Sequence, residues 1–384
     1  MRIACIKTHH VRCQLDKPFG FSQWFYDQRN VLLIEVITDT GLSGWGECYG
    51  PADVIQAAAE KFYAPRILGM ESLSTDAIWH HMWRSSLDFA RSGIMMSAMS
   101  GIDMALWDLK GKALNVSVAE LMGGRNRSTV PCYATGMYYL DMPEDKLLPT
   151  LVEEAVSYAE GGYEAMKIKV GKNIQFDEKF IIALREALPN TQLMADSNHA
   201  FDLPEAIRIG RVLQEYRYEW FEEPLAPEHL HLFKTLHDKL DITLATGECV
   251  QTRFAYNNLI QSNSVHLLQP DLAYCGGPSE ALKIRAMASA HGINVIPHVW
   301  GTQLNLAAAT HFLASAYHEP GRAEPKKLFL EYDRTENPLR DEMYEQMITV
   351  DKGQAIVPTA PGLGVTINRK ALEKFTVTKT ETKL

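Results

Sequence analysis

The hydrophobic pattern changes about a third of the way along the chain. Before that point it indicates mixed α and β structure: residues 30–37 read as a strand, residues 38–41 as a hairpin turn and residues 42–46 as its partner strand. The long and largely apolar segment 94–113 predicts a buried helix. We therefore predict an α+β domain over residues 1–128.

From about Val130 onward, short apolar segments alternate with amphipathic segments of helix length. The predicted strands are 130–134, 164–170, 192–196, 219–222, 242–248, 265–271, 293–298 and 327–331. Predicted helices between them include 177–187, 203–216, 279–291 and 302–316. This alternation is typical of a parallel sheet, and eight strands on this scale fit a TIM-type barrel better than an open sheet.

The fold class is thus α/β, with the barrel over residues 129–350. The remaining segment, 351–384, contains Gly and Pro and is expected to return to the N-terminal domain.

Composition narrows the function classes. The 384 residues are 46% hydrophobic and carry a formal charge of -9, which argues against general binding to nucleic acid or to an anionic membrane. There is no apolar run of about 18–20 residues, and the first residues do not resemble a signal peptide. Six cysteines without a C-x-x-C pair indicate neither a disulfide framework nor a zinc site, so we expect a cytoplasmic protein.

Ionisable residues mark the ends of the predicted barrel strands. They are Lys167, Lys169, Asp196, Glu222, Glu248, Asp271, His298 and Glu331. In TIM-type barrels, catalytic groups project from the C-terminal ends of the strands. A single charge at such an end has ordinary explanations, whereas a ring of them predicts an active site.

Three of these residues form a candidate metal site. Asp196, Glu222 and Glu248 follow one another at intervals of 26 residues, about one βα unit. Carboxylates from adjacent strands repel one another where they converge, and a hard divalent cation relieves that repulsion. Oxygen-only ligands favour Mg²⁺, or else Mn²⁺. The neighbouring Glu223 is expected to point the other way, because side chains alternate along a strand.

Two lysines provide a candidate base. Lys167 and Lys169 are two residues apart on one strand, so both should face the same side. Ammonium groups that lie close together disfavour each other's charge, which is expected to lower their pKa toward the range of a general base.

A histidine and two further carboxylates complete the set. Asp271 and His298 end neighbouring strands, and a carboxylate beside an imidazole fixes its tautomer and raises its basicity. This pair is a candidate second acid/base. Two roles for Glu331 remain open: a protonated carboxyl that donates to a developing enolate oxygen, or a plain substrate contact.

Together these groups predict removal of a proton from the carbon next to a carboxylate. Such a proton is only weakly acidic, so the resulting enolate needs strong electrostatic stabilisation, which a metal at the substrate carboxylate can supply. An acid or base on the opposite or the same face would then complete racemisation, elimination or cycloisomerisation. The expected partner is a small anionic molecule.

The motifs resemble those of the enolase superfamily and, within it, the mandelate racemase subgroup. The matching segments are Lys167-Ile168-Lys169, Asp196-Ser197-Asn198, Glu222-Glu223-Pro224, Gly247-Glu248, Gln269-Pro270-Asp271, His298, Glu331 and, in the N-terminal domain, residues 100–112. The resemblance implies a capping domain on a modified (β/α)7β barrel and a homo-oligomer, either an octamer or a dimer.

The same resemblance assigns roles to residues of this chain. It implies Mg²⁺ on Asp196, Glu222 and Glu248, with Lys169 as one base and the His298–Asp271 dyad as the other. It also implies loops near 19–26 and 50–53 that close over the site. Candidate substrate contacts are Lys167, Asn198, Glu331, Trp24 and Trp300.

A narrower resemblance is to the galactarolactone cycloisomerases, which open an aldaric acid lactone by β-elimination to a 3-deoxy-2-keto acid. It rests on the segments 133–136, 275–277, 298–302, 331–340, 361–364 and 367–369. The chain departs from this pattern after Gly136 and around Trp24, where substrate would lie. Dehydration of an open-chain acid sugar, racemisation or epimerisation, and a non-catalytic metal-binding role are the alternatives.

Overall fold

The computed structural model describes residues 1–317 and 327–384. The chain begins with three antiparallel strands, β1 (Ile3–Gly20), β2 (Phe25–Thr38) and β3 (Ser43–Cys48). The predicted hairpin between β2 and β3 is confirmed, with Gly41 at φ +83° in its turn. The longest strand, β1, was not predicted, because its polar residues obscure the alternation of buried positions.

A helical layer follows and covers this sheet. It comprises α1 (Ala52–Ala57), a π-helical stretch (Ala58–Tyr63), α2 (Ala64–Ile67), α3 (Thr75–Ser86), α4 (Ile94–Leu114) and α5 (Val118–Leu121). The predicted buried helix 94–113 is confirmed as α4, which packs directly on β3. A Cβ atom at Gly46 would lie 2.0 Å from the carbonyl oxygen of Gly101, so this close approach requires glycine.

Eight parallel strands then form the barrel. They are β4 (Thr129–Thr135), β5 (Ala165–Lys169), β6 (Gln192–Asp196), β7 (Trp220–Glu222), β8 (Thr243–Thr246), β9 (Leu267–Leu268), β10 (Asn294–Val295) and β11 (Leu330–Asp333). Each strand pairs with its neighbour in sequence from β4 to β10, and β11 pairs with β4. The predicted TIM-type fold is confirmed.

Seven α-helices of the described residues connect these strands, which gives the (β/α)7β order. They are α6 (Glu144–Glu160), α7 (Ile174–Ala187), α8 (Leu203–Glu215), α9 (Leu230–His237), α10 (Thr252–Gln261), α11 (Pro278–Ala290) and α12 (Gln303–Ala314); a 3-10 turn (Pro227–His229) precedes α9. The strands predicted at 265–271 and 293–298 are much shorter than expected. Pro270 and Pro297 lie in these segments, and proline has no N–H to continue a ladder.

The inside of the barrel is filled with apolar side chains. This cluster consists of Tyr133, Ala165, Met194, Trp220, Ala245, Leu267, Ile296 and Phe329. It closes the barrel beneath the C-terminal strand ends, which leaves that end as the place for polar groups.

The last part of the chain contributes strands to both the barrel and the N-terminal sheet. Its elements are α13 (Pro338–Asp341), β12 (Tyr344–Gln346), β13 (Val350–Asp351), β14 (Gln354–Ile356), β15 (Thr366–Ile367), α14 (Arg369–Phe375) and β16 (Thr376–Lys383). Strand β14 pairs with β4 of the barrel, whereas β16 pairs with β1. Among the helices of the described residues, none has the length and apolarity needed to cross a bilayer.

Candidate active site

The structure brings the strand-end residues together at one end of the barrel. Asp196 and Glu222 are the last residues of β6 and β7, and Lys167 and Lys169 lie on β5. Four others stand on or just beyond the neighbouring strands: Glu248, Asp271, His298 and Glu331. All eight side chains are at least nine-tenths buried.

Three carboxylates converge as the sequence predicts. One oxygen atom from each of Asp196, Glu222 and Glu248 lies within 4.8 Å of the others. Glu248 reaches this position because Gly247 adopts φ +133°, a backbone conformation that favours glycine. The donor set is made of oxygen alone, which fits Mg²⁺ or Mn²⁺.

Burial and the nearby charges shift the pKa values of two of these acids. Burial raises the pKa of Glu222 to about 7. Burial also opposes ionisation of Asp196, but the ammonium groups of Lys169 and Lys167 outweigh it and lower the pKa of Asp196 to about 2. Glu223 is not part of this group of carboxylates; it accepts from the backbone N–H of Gly247 at 2.9 Å and lies 2.7 Å from His199 Nδ1.

The two lysines have different surroundings. Lys169 Nζ donates to Asp196 Oδ2 at 2.5 Å and to Asn198 Oδ1 at 2.9 Å, and its side chain lines a cavity. Lys167 is 1% exposed, and its Nζ contacts carboxylate oxygens of Glu222 and Glu331. Lys167 is not among the residues that line the cavity, so its position does not support the predicted substrate contact.

The predicted lowering of the lysine pKa is wrong for Lys167. Burial disfavours its ammonium form, but the carboxylates of Glu222 and Glu331 outweigh burial and raise the pKa of Lys167 well above its usual range. Sequence spacing places the two lysines on one face of β5 but does not reveal the carboxylates from β7 and β11 that contact Lys167 Nζ.

His298 and Asp271 form the expected dyad. His298 Nδ1 lies 2.7 Å from Asp271 Oδ2, and His298 Nε2 lies 3.6 Å from Glu248 Oε2. Burial disfavours the imidazolium, but Glu248 and Asp271 outweigh it and raise the pKa of His298 to about 10. Asp271 also accepts from Asn305 Nδ2 at 3.1 Å, which fixes the carboxylate from behind.

Asn305 connects the dyad to the N-terminal domain. The carboxylate of Glu47, on β3, accepts from the backbone N–H groups of Thr302 at 2.9 Å and Asn305 at 3.2 Å. A Cβ atom at Gly301 would lie 1.7 Å from Glu47 Oε1, so glycine is required for this contact. Burial raises the pKa of Glu47 to about 7.

Glu331 is held as a carboxylate. It accepts from Thr135 Oγ1 at 2.7 Å and from the backbone N–H of Val299 at 3.1 Å, and it lies 2.8 Å from Lys167 Nζ. Burial opposes ionisation, but Lys167 and His298 outweigh it and lower the pKa of Glu331 to about 2. The lowered pKa disfavours the first of the two open roles, a protonated carboxyl that donates to the enolate. The contact role fits, since Glu331 lines the cavity.

The cavity is lined by both polar and aromatic side chains. Its polar residues include Lys169, Asn198, Glu248, His298 and Glu331, and its aromatic residues are Phe21, Trp24, Tyr26, Tyr49, Tyr138 and Trp300. Three of the predicted substrate contacts, Asn198, Trp24 and Trp300, thus line this cavity with Glu331. Such a combination suits a small polar ligand with an apolar face.

The first predicted capping loop reaches the site. Between β1 and β2, Ser22 Oγ donates to the carbonyl of Ser197 at 2.9 Å, and Gln23 Nε2 donates to the carbonyl of Asn198 at 2.6 Å. The second predicted loop, 50–53, does not line this cavity; Gly50 and Pro51 line an adjacent one.

Sequence reasoning missed several residues of the site. Tyr49, His199 and Cys249 line the cavity, and Glu47 and Asn305 support the dyad. Two of these residues could have been suspected from the sequence, because His199 and Cys249 directly follow the predicted site residues Asn198 and Glu248. Glu47 and Asn305 are far apart in sequence, so only the folded chain pairs them.

Comparison with known families agrees with this geometry. Residues 3–123 match the family described as mandelate racemase/muconate lactonizing enzyme, N-terminal domain, and residues 150–371 match the family described as enolase C-terminal domain-like. The chain belongs to the enolase superfamily. The resemblance found in its motifs is thereby confirmed.

Relatives in this superfamily are isomerases and lyases. D-galactarolactone cycloisomerase of Agrobacterium fabrum is 38% identical over 98% of this chain and 99% of its own length. The crystal structure of 3,6-anhydro-D-galactonate cycloisomerase from Zobellia galactanivorans has a TM-score of 0.89 and 37% identity, covering 98% of this chain and 100% of that one.

A third relative is a lyase. L-talarate/galactarate dehydratase of Salmonella typhimurium is 32% identical over 89% of this chain and 81% of its own length. A structure of an L-talarate/galactarate dehydratase with Mg and L-glucarate bound has a TM-score of 0.87 and 28% identity, covering 100% of this chain and 94% of that one.

Proposed function

We propose that this enolase-superfamily enzyme removes the proton α to a carboxylate in a Mg²⁺-dependent reaction, and that its substrate is an aldaric acid lactone such as galactaro- or glucaro-lactone. The observation that carries the proposal is the placement of Lys169 and His298 on the same cavity beside three converging carboxylates. Relatives named as cycloisomerases, of nearly the same length, support the choice of a cyclic substrate.

The proposed metal ligands are Asp196, Glu222 and Glu248. When bound there, Mg²⁺ (or Mn²⁺) would supply positive charge to offset the negative charge that develops on the substrate carboxylate. The donor chemistry fits, because the site offers carboxylate oxygens in a buried position.

Lys169 is the proposed base. Its ammonium nitrogen lies between Asp196 and Asn198 at the cavity surface, where a neutral amine could take a proton from the α carbon. Asn198 then holds the lysine nitrogen in place and contacts substrate. Lys167 does not line the cavity, and its ammonium group offsets the negative charges of Glu222 and Glu331.

Ring opening follows from that proton transfer. The electron pair of the α C–H bond forms a C–C double bond, the bond from the β carbon to the ring oxygen breaks, and the lactone oxygen leaves as a carboxylate. The enol then takes up a proton at the former β carbon, which yields a 3-deoxy-2-keto acid isomeric with the lactone. A carboxylate leaving group needs no proton, so His298 has no obligatory task in this step.

Dehydration of an open-chain acid sugar is the second candidate. Its leaving group is hydroxide, which must be protonated, and the raised pKa of His298 keeps its imidazole protonated for that purpose. The relative named as a dehydratase favours this reading. Racemisation or epimerisation would use Lys169 and His298 on opposite faces of the same carbon.

Product identity separates these reactions. The purified enzyme is incubated with Mg²⁺ in deuterated water with matched lactones, aldarates and aldonates, and followed by proton NMR. We expect lactone to convert to a deuterium-labelled deoxy-keto acid. Lys169→Ala should abolish the conversion, whereas the matched control Lys179→Ala, an exposed lysine on α7, should retain it.

Other outcomes would replace the proposal. If the lactones do not react and an open-chain acid sugar loses water, the enzyme is a dehydratase. If the α proton exchanges with solvent without elimination, the enzyme is a racemase or epimerase. Full turnover in Lys169→Ala would remove the assigned base. We also propose a cytoplasmic homo-oligomer, octamer or dimer, which light scattering on the purified enzyme tests.

A further inference from the structure

A mixed cluster of histidine, thiol and carboxylate lies at the edge of the cavity. One ligand atom from each of His199, Glu248 and Cys249 lies within 4.8 Å of the others. His199 Nε2 and Cys249 Sγ are 3.5 Å apart. Two tetrahedral ligands of Zn²⁺, with Zn–N of about 2.0 Å and Zn–S of about 2.3 Å, are separated by about 3.5 Å. The pair therefore has the spacing of two ligands of one ion.

The second ring nitrogen of His199 faces protein oxygens, including the carbonyl oxygen of Leu225 at 3.4 Å, so Nε2 is the nitrogen turned toward Cys249. His199 Nδ1 lies 2.7 Å from Glu223 Oε2, and Glu223 is 1% exposed. Glu223 is held in turn by the backbone N–H of Gly247 at 2.9 Å and by Thr246 Oγ1. Metal-binding histidines commonly give their second ring nitrogen to a carboxylate, which leaves the other nitrogen free for the ion.

The cluster is open to small ions. His199, Glu248 and Cys249 all line the cavity, and the Cys249 residue is exposed. Among the described residues that line this cavity, Cys249 is the one cysteine. A cation that enters the cavity can therefore reach the thiol without a rearrangement of the barrel.

We propose that His199, Cys249 and Glu248 form a second cation site, selective for a thiophilic divalent ion such as Zn²⁺ or Cd²⁺. Binding forms a metal–sulfur bond and releases the thiol proton to solvent. Mg²⁺ prefers oxygen ligands and does not compete for the thiol and imidazole. The site also lacks the C-x-x-C spacing by which zinc sites are recognised in a sequence.

Glu248 belongs to both sites, which couples them. A thiophilic ion that takes the Glu248 carboxylate withdraws it from Asp196 and Glu222, and it occupies the cavity beside Asn198. Zn²⁺ or Cd²⁺ therefore inhibits the enzyme by displacing the hard cation. This consequence rests on the proposed function, whereas the binding itself does not.

Binding is tested without turnover. Cd²⁺ is titrated into the full-length protein while the ultraviolet charge-transfer absorption of the cadmium–thiolate bond is recorded. We expect one equivalent to saturate the wild type, Cys249→Ser to lose the band, and His199→Ala to bind at least about tenfold more weakly. The control Cys13→Ser, on β1, should behave like the wild type.

Two results would overturn the site: a wild type without the band, or a band that survives in Cys249→Ser. Increasing Mg²⁺ should weaken Cd²⁺ binding, and an affinity independent of Mg²⁺ would disprove the shared Glu248. Zn²⁺ is tested by displacement of Cd²⁺.

Inhibition is measured separately once a substrate turns over. Cys249→Ser should raise the Zn²⁺ concentration for half-inhibition at least about tenfold. An equal sensitivity in both proteins would disprove inhibition through this site. A cadmium band in a protein that turns over none of the substrates would count against the proposed function but support the second cation site. Turnover of a substrate by a protein without the band would support the proposed function and overturn the second cation site.

Discussion

Asn305 donates from its side-chain Nδ2 to Asp271 Oδ1 across 3.1 Å. The backbone N–H of the same asparagine donates to Glu47 in the N-terminal domain, and Asp271 holds His298. The proposed acid/base is thus supported by a hydrogen-bonded chain that starts outside the barrel. Asn305 is a positioning residue in this chain, because it reaches the cavity only through Asp271.

Replacement of Asn305 should therefore weaken a reaction in which His298 transfers a proton, such as dehydration of an open-chain acid sugar, without removing a reacting group. Lactone ring opening, which gives His298 no obligatory task, should change little. Asn305→Ala frees Asp271 from one donor, and we expect kcat to fall about 10–100-fold for a reaction that uses His298. The pH profile of kcat should shift as well, which a purely structural defect would not produce. Thr310→Val, on the same helix, is the control, since Thr310 Oγ1 donates only to the carbonyl of Leu306; an equal loss there would refute the positioning role.

The charge state of His298 should depend on Glu248. In protein freed of divalent ions, the pKa of His298 is raised to about 10, so the imidazole is protonated at neutral pH. Because this pKa is raised, its contribution to stability is complete below about pH 6.5 and is lost as the pH rises through about 10. NMR titration of the ring should show a lower pKa in Glu248→Gln; an unchanged value would contradict the assigned cause.

Mg²⁺ should stabilise the folded enzyme through its three carboxylates. An ion at about 100 times its dissociation constant adds about 2.7 kcal/mol to the free energy of unfolding. Differential scanning calorimetry should show a Tm increase with Mg²⁺ in the wild type and none in Glu222→Gln. Glu219→Gln, an exposed residue before β7, is the control and should respond like the wild type. A full response in Glu222→Gln would exclude Glu222 as a ligand.

The buried pair of Glu331 and Lys167 should contribute to stability in a pH-dependent way. Glu331→Gln leaves Lys167 with fewer charged partners, so we expect a loss of about 3 kcal/mol at pH 7. Since the pKa of Glu331 is lowered to about 2, its contribution is present above about pH 4.3 and is lost as the pH falls through about 2. The difference in unfolding free energy between the two proteins should shrink accordingly in acid.

An exposed ion pair provides the comparison for that experiment. Lys374 and Glu342 lie 3.2 Å apart with both side chains exposed. Glu342→Gln should change the free energy of unfolding by less than about 0.5 kcal/mol. If Glu331→Gln and Glu342→Gln lower the free energy of unfolding by the same small amount, burial does not make the Glu331–Lys167 pair more stabilising than an exposed pair.

The capping loop should affect substrate binding more than chemistry. Trp24 is 52% exposed and lines the cavity from the loop between β1 and β2. Trp24→Ala should raise KM several-fold at nearly constant kcat, because its contact is the same in the bound substrate and the transition state. A fall in kcat with constant KM would instead place Trp24 in the reaction step. The exposed Phe254 on α10, which is not among the residues that line the cavity, gives the control Phe254→Ala.

Periodicity and strand ends were enough to predict the barrel and the placement of its ionisable residues. Asp196 and Glu222 illustrate why: an apolar strand that ends in a carboxylate fixes both the element and the direction of the side chain. The predicted lowering of the Lys167 pKa was wrong, and the protonated form of Glu331, one of its two open roles, is disfavoured, for a common reason. Both depend on which charges from other strands lie nearest, and sequence spacing does not contain those distances.

Contacts between the two parts of the chain were beyond sequence reasoning. Glu47 and Thr302 are 255 residues apart, and nothing local to either predicts their hydrogen bond. Strand β1 was missed because three polar residues, Thr8, His9 and His10, occupy buried positions of the strand and interrupt its apolar pattern.

The Glu47 contact also limits how this scaffold can be recombined. A chimera that joins the N-terminal domain of one relative to the barrel of another keeps the proposed bases and metal ligands, yet it breaks the support of the dyad unless both parents carry Glu47, Gly301 and Asn305 equivalents. Where the reaction depends on the His298–Asp271 dyad, the two halves are therefore exchangeable only as matched sets.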